Sequence, residues 1–359
     1  MKKRYSESKY KELTRKRQRK DVARIRRRNE VIKALNAARR LYTKGIRRQR
    51  GGFRPYSKRE VLIAPENFSF INNTEVLIKF FNDMGKLFKK GRNVFMDFSG
   101  IKQLTPDALT VLVSKIKDDD FNNGMSCFGN EPEDKDLKEQ FVRSGFYSVV
   151  VSQKRSRDSA TGAFRQKRSK KVEPETSDEL VTFVTKRLYG KYRKSGGVIN
   201  ALLESMSNTR GHAASERGSH ESWWATAHCD TKAKKAYYSF VDNGVGIFRS
   251  KKPHILSGAK EALGIKTNTE LLEMMLHRKI PSRTKIPYRG RGVPSIYNSL
   301  IRGDIENLII ITNDVYAKVR HNEYTRLTRP FSGTFLYWEH PGEKSDHGEG
   351  KVKRPKRFW

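Results

Sequence analysis

The chain has 359 residues, room for two domains of ordinary size, and its 75 Lys and Arg against 39 Asp and Glu give a formal net charge of +36. That excess goes far beyond what solubility needs and selects polyanionic partners, nucleic acid first and an anionic membrane surface as the alternative. Two cysteines, Cys127 and Cys229, have no neighbour at zinc-ligand spacing and read as small buried strand residues, and no apolar run is long enough for a transmembrane helix.

No apolar signal segment is visible in the opening MKKRYSESKYKE, so a reducing cytoplasmic setting is expected. Residues 1–57 read as a basic helical arm. Residues 1–50 carry 21 basic and 4 acidic side chains, and Val22, Ile25, Ile32, Leu35 and Tyr42 fall near one helical face while Arg24, Arg27, Arg28, Arg39 and Arg40 cover others. Phosphate contact through arginine forks is the functional reading, and a solvated charged arm is the plain one. The glycines and Pro55 of GIRRQRGGFRP then end the pattern.

Residues 58–151 alternate strand and helix, which predicts a small α/β domain. REVLIAPENFSF is strand-like. Val76 or Leu77, with Phe80, Phe81, Met84, Leu87 and Phe88, recur at the spacing of a buried helix face. NVFMDFSGI is a buried strand, and TPDALTVLVSKIKD is a helix with Thr105 as N-cap and Pro106 in first position. GMSCFGN is a further strand, and EDKDLKEQFVRSGF a helix stopped by Gly145. NVFMDFSGIKQLTPDALTVL and SCFGNEPEDKDLKEQFVRSGFYSVV together resemble the STAS domains of sulfate transporters and anti-sigma-factor antagonists. In the antagonists a serine opening the switch helix is phosphorylated, and Asp107 stands at that position. Aspartate cannot take the phosphate, although it carries a like charge. The resemblance therefore implies docking of a protein partner rather than a phospho-switch.

Residues 152–172 lack apolar periodicity, and 152–171 hold 8 basic side chains against one Asp, so the stretch reads as a basic linker with a second capacity for nucleic acid. From 173 to 341 the signals change. GGVINALLESMSNTRGH is a helix by pattern, with Val198, Ile199, Leu202, Leu203 and Met206 on its apolar side. Glu204 and Asn208 are four apart and share another side, where they could hold a water and a hard cation; an exposed polar face is the alternative. FVDNGVGIFR takes a strand into Asp242, Asn243, Gly244 and Gly246. Asn-Gly reads as a hairpin turn, while a carboxylate at a buried strand end calls for a partner. TNTELLEMMLHRKI is a helix, and YRGRGVPSIYNSL places Gly290, Arg291 and Gly292 before an apolar helix, where free N–H groups suit phosphate. FSGTFLYWEHP is a strand entered through Gly333 and Thr334. No GxxxxGK[ST] occurs, which excludes a P-loop. Trp223 and Trp224 read as strand residues of a core or partner surface. Residues 342–359 form a basic tail whose last ten residues hold five basic side chains and no acid.

ESMSN, DNGVG, GRGV and SGTF, in this order, resemble the motifs of the GHKL superfamily of gyrase, heat-shock chaperones, histidine kinases and MutL, whose nucleotide-binding unit is the Bergerat α/β sandwich. The resemblance implies an ATP site with Mg²⁺. Asp242 would accept the adenine amino hydrogen, with Thr334 in support. Gly244 and Gly246 would admit the nucleotide, and Gly290, Arg291 and Gly292 would meet its phosphates. Asn208 would ligate Mg²⁺ and Glu204 would act as general base. Residues 247–288 would form a lid, and ATP-dependent homodimerisation is implied. His212, four after Asn208, matches anti-sigma-factor kinases and also reads as a packed helix histidine. A bacterial ATPase acting on a nucleic-acid or nucleoprotein partner is the leading expectation. A serine protein kinase with a fused STAS module and a nucleic-acid scaffold with a structural ATP site are the others.

Overall fold

The computed structural model describes residues 60–143, 164–169, 171–212, 222–249, 264–277 and 292–341. The chain divides between Ser57 and Lys58. The basic arm, the lid residues 250–263 and 278–288, Gly145 and the tail lie outside the described residues.

The first half follows the expected alternation: β1 (Glu60–Ile63), β2 (Asn67–Phe68), α1 (Thr74–Lys89), β3 (Val94–Asp97), β4 (Gln103–Leu104), α2 (Pro106–Lys117), α3 (Asp119–Asn122), β5 (Cys127–Gly129) and α4 (Lys135–Arg143). Strands β1, β3 and β5 form a parallel sheet in that order, and β2 pairs with β4. The apolar spacing read in α1 is the face that buries Leu77, Phe80, Phe81, Met84 and Phe88. Pro106 opens α2 after an extended Thr105, as its fixed φ and missing N–H allow.

The second half comprises β6 (Phe164–Ser169), α5 (Pro174–Tyr189), α6 (Gly196–His212), β7 (Trp223–Asp230), β8 (Lys235–Asp242), α7 (Asn268–Leu276), α8 (Gly292–Ile301), β9 (Glu306–Lys318) and β10 (Glu323–Glu339). One antiparallel sheet runs β6-β7-β8-β10-β9. Strand β6 corrects the reading of 152–172 as linker throughout, since Phe164 to Ser169 pair with His228 to Trp223. An edge strand needs only backbone pairing on one side, and basic residues are common there, so the usual apolar alternation is missing. Helix α5, unread in the sequence, carries Pro174 at its start and ends on Gly190 at φ +72°, the left-handed cap that glycine accepts without strain.

Together the described residues form a mixed α/β fold. The inner face of the five-stranded sheet buries Trp223, Phe240, Leu336 and Trp338 beneath α5, α6, α7 and α8. Its outer face buries Trp224, Val241, Ile309, Ile311, Phe331 and Phe335 in one core with α1, α2 and β3. Polar contacts reinforce this junction. The hydroxyls of Thr110 and Thr226 meet at 2.8 Å, and the Glu75 carboxylate accepts from the Thr328 N–H and hydroxyl at 2.5 and 2.9 Å. Phe70 packs its ring 5.2 Å from Phe331 and 5.0 Å from Phe335.

Asp107, at the antagonists' phosphorylation position, is turned inward. It is buried and accepts the N–H groups of Phe70 and Ile71 at 2.8 and 3.0 Å. Burial raises its pKa. It ties the first turn of α2 to the loop after β2, so the phosphate-like charge expected of this position is not displayed at the surface. No helix of the described residues is long and apolar enough to cross a membrane.

Candidate functional site

The carboxylate of the DNGVG motif stands at the last residue of β8. In register, Asp242 lies opposite Trp223 on β7 and Thr334 on β10. Paired residues of a sheet share a face, and Phe240 and Leu336, two positions along each strand, belong to the inner core. Asp242 and Thr334 therefore belong to the face on which α6 packs. Asp242 is 6 % exposed, and one of its oxygens accepts the Gly244 N–H at 2.8 Å. Burial raises its pKa to about 6, opposed by the Gly244 N–H, the charge of Lys115 and the hydrogen bonds of Thr334.

The chain beyond Asp242 is not a hairpin turn. It runs through Gly244 and Gly246 into a single 3-10 turn, Ile247–Arg249. Two neighbours on β9, both missed in the sequence, fix it. Thr312 accepts the Ile247 N–H at 3.0 Å, while Asn313 accepts the Phe248 N–H at 3.1 Å and donates to the Val245 carbonyl at 2.8 Å. Gly246 is required here by its own surroundings: φ is +80°, and a Cβ would strike the Asn313 carboxamide. Gly333 is stricter still. At φ +114° it lies so near the Asp242 carbonyl that a Cβ has no room, which explains the glycine of SGTF.

On α6, Glu204 and Asn208 are half-buried, and neither side chain hydrogen-bonds to another described residue. A Cβ on Gly292, the first residue of α8, would strike the Asn208 carboxamide, so ESMSN and GRGV meet at this point. Asn200 supports the contact by donating to Ser295 on α8 at 3.1 Å. The structure thus brings Asp242, Gly244 and Thr334 together, and Asn208 with Gly292. Helix α6 packs against β7 and β8, which puts the two groups on the same side of the sheet. Gly290, Arg291 and the His212 side chain lie outside the described residues.

On this side of the sheet the polar groups open to a ligand are a buried acceptor, Asp242, and a carboxamide, Asn208, beside the start of α8. Among the described residues no three His, Cys, Asp or Glu side chains cluster around a possible metal. A Mg²⁺ on Asn208 would complete its shell with phosphate oxygens and water, as Mg²⁺ commonly does.

Sequence reasoning missed Asn243. It is 6 % exposed and turned to the outer face, where it meets Ser114 and Asp118 of the first half. The only local signal was its place beside Asp242. The chain matches no known family model and no curated protein sequence.

Proposed function

We propose that this chain is a Mg²⁺-dependent ATP-binding protein, a slow ATPase whose nucleotide state regulates a nucleic-acid or nucleoprotein partner. The observation that carries this reading is the buried Asp242 carboxylate, held by its own Gly244 turn and in register with Thr334, on the face covered by the helix that bears Glu204 and Asn208. A carboxylate costs free energy in such a place unless something draws on it, and the amino group of adenine is a suitable donor.

Asp242 binds the base, and Thr334 steadies it. Gly244 and Gly246 shape the turn beside the nucleotide, and the start of α8 at Gly292, with Gly290 and Arg291, receives the phosphates. Asn208 would hold Mg²⁺, which would neutralise phosphate charge. Glu204, whose half-buried side chain makes no hydrogen bond to another described residue, orients the water that attacks the γ-phosphorus and takes its proton as the bond to ADP breaks. The basic segments 1–50 and 152–171 supply phosphate contacts to the partner, as their charge suits. The inward position of Asp107 lends no support to a phospho-switched regulator.

Calorimetric titration of Mg-ATP into wild type and Asp242→Asn tests the reading. The variant should bind more weakly by about 1–3 kcal/mol, the range for a stranded buried hydrogen-bonding group. Equal affinities would remove Asp242 from the site.

A further inference from the structure

The Asp242 turn is gripped from behind the sheet. The Asn243 amide donates to the Ser114 carbonyl at 3.1 Å and to the Asp118 carboxylate at 2.8 Å, and its carbonyl oxygen accepts from the Ser114 hydroxyl at 3.4 Å. Lys115, the next residue of α2, is 4 % exposed. Its ammonium donates to the Ser332 carbonyl at 3.4 Å and lies 5.2 and 5.0 Å from the ring centres of Phe121 and Phe331. Ser332 in turn donates its hydroxyl to the Gly244 carbonyl at 3.4 Å. The end of α2 therefore holds both chain segments that frame the carboxylate, 243–244 and 332–334.

A buried ammonium with one long bond to a neutral carbonyl is costly without charge nearby. Burial lowers the Lys115 pKa to about 8, and the carboxylates of Asp118 and Asp242 resist that fall. The influence is mutual, since the Lys115 charge opposes the burial that lifts Asp242. Among the main influences on Asp242, Lys115 is the charged side chain, and Asp118 acts in turn on Lys115.

We propose that Lys115 and Asp118 are positioning residues of the base site, and that Lys115 sets its specificity by holding Asp242 ionised as a pure hydrogen-bond acceptor. An ionised carboxylate takes the exocyclic amino group of adenine and repels the carbonyl that guanine presents instead. A protonated one could donate to that carbonyl. The proposal rests on the reading of Asp242 as the base-binding residue, and it gives the first half of the chain a direct part in nucleotide choice.

The test is titration of Mg-ATP and Mg-GTP into the full chain and its Lys115→Met and Lys115→Arg variants, between about pH 5 and about pH 8.5. Wild-type affinity for Mg-ATP should fall below about pH 6. In Lys115→Met the midpoint should rise by roughly one unit, a loss of about tenfold at a fixed pH below both midpoints, and the preference for ATP over GTP should narrow by a similar factor. Lys115→Arg should keep the wild-type midpoint. A folded Lys115→Met with an unmoved midpoint and unmoved preference overturns the proposal. Should Lys115→Met not fold, the double variant with Asp242→Asn decides. Recovery of folding identifies an unneutralised carboxylate as the fault, whereas continued unfolding assigns Lys115 to packing and overturns it. Failure of the underlying reading looks different: no Mg-ATP binding by wild type, or wild-type binding by Asp242→Asn, removes the base site and this proposal together.

Discussion

Trp223 and Trp224 are neighbours on β7 and equally buried, yet they belong to the two faces of one sheet, and those faces treat their polar groups differently. On the outer face the polar residues of α2 find partners on the sheet: Thr110 meets Thr226, and Ser114 and Asp118 meet Asn243. On the inner side Glu204 and Asn208 carry polar groups with no hydrogen bond to another described residue. Matched pairs of this kind add cohesion, whereas polar groups left unmatched are tolerated where a ligand or water can complete them.

Mutations can break this contrast in order of expected size. Glu204→Ala should retain Mg-ATP in calorimetry while losing ~10²–10⁴ of the turnover measured by phosphate release. Unchanged turnover would move the general base elsewhere. Phe335→Ala cuts the outer core where Phe70 packs, and should cost about 3–5 kcal/mol in denaturant unfolding. The Mg-ATP affinity of the folded fraction then measures how far the outer face, beyond its cohesion, positions the base site.

The pH dependence sharpens the contrast, because affinity and stability move in opposite directions. The pKa of Asp242 in the fold is raised to about 6, above its unfolded value. Ionising it inside the protein therefore costs stability, and its contribution to unliganded stability should improve as pH falls through about 6 towards about 4. If Asp242 accepts the adenine amino group, as proposed, it must be ionised, so Mg-ATP affinity should fall over the same range, roughly tenfold per unit below about 6. Thermal unfolding and calorimetry at matched pH would show both slopes. The smallest effect belongs to the rim of the outer junction. Glu75→Ala should lower stability by about 0.5–1.5 kcal/mol in denaturant unfolding and leave Mg-ATP affinity unchanged.

Much of this was legible locally. Pro106 after Thr105 marks the start of α2, and TNTELLEMML marks α7, although the Thr267–Glu270 capping box at its start was not read. The strand ending in Asp242 and the helices bearing Asn208 and opening at Gly292 follow the same kind of short-range pattern. What could not be read was the matching of distant pieces. Thr110, Ser114 and Asp118 form a polar stripe on and just beyond α2 that by pattern alone would face water, whereas the helix is buried on nearly every side between two sheets. Nothing in its spacing sets Lys115 apart from a surface cation either. Its neighbour Asp118 meets Asn243 across 125 positions, and no local periodicity encodes such a pairing. Strand β6 escaped because an edge strand can be charged throughout.

The Glu75 clamp on Thr328 joins residues 253 positions apart, and Phe70 completes its packing only with Phe331 and Phe335. A ribosome delivers the phenylalanines of α1 long before it delivers β10. Until the last strand arrives, an aromatic surface waits without its cover, and loop closure over such a distance is slow. Uncovered apolar surface of that kind favours aggregation, so a protein halted before residue 331 should be recovered from cells in aggregates rather than as a free domain.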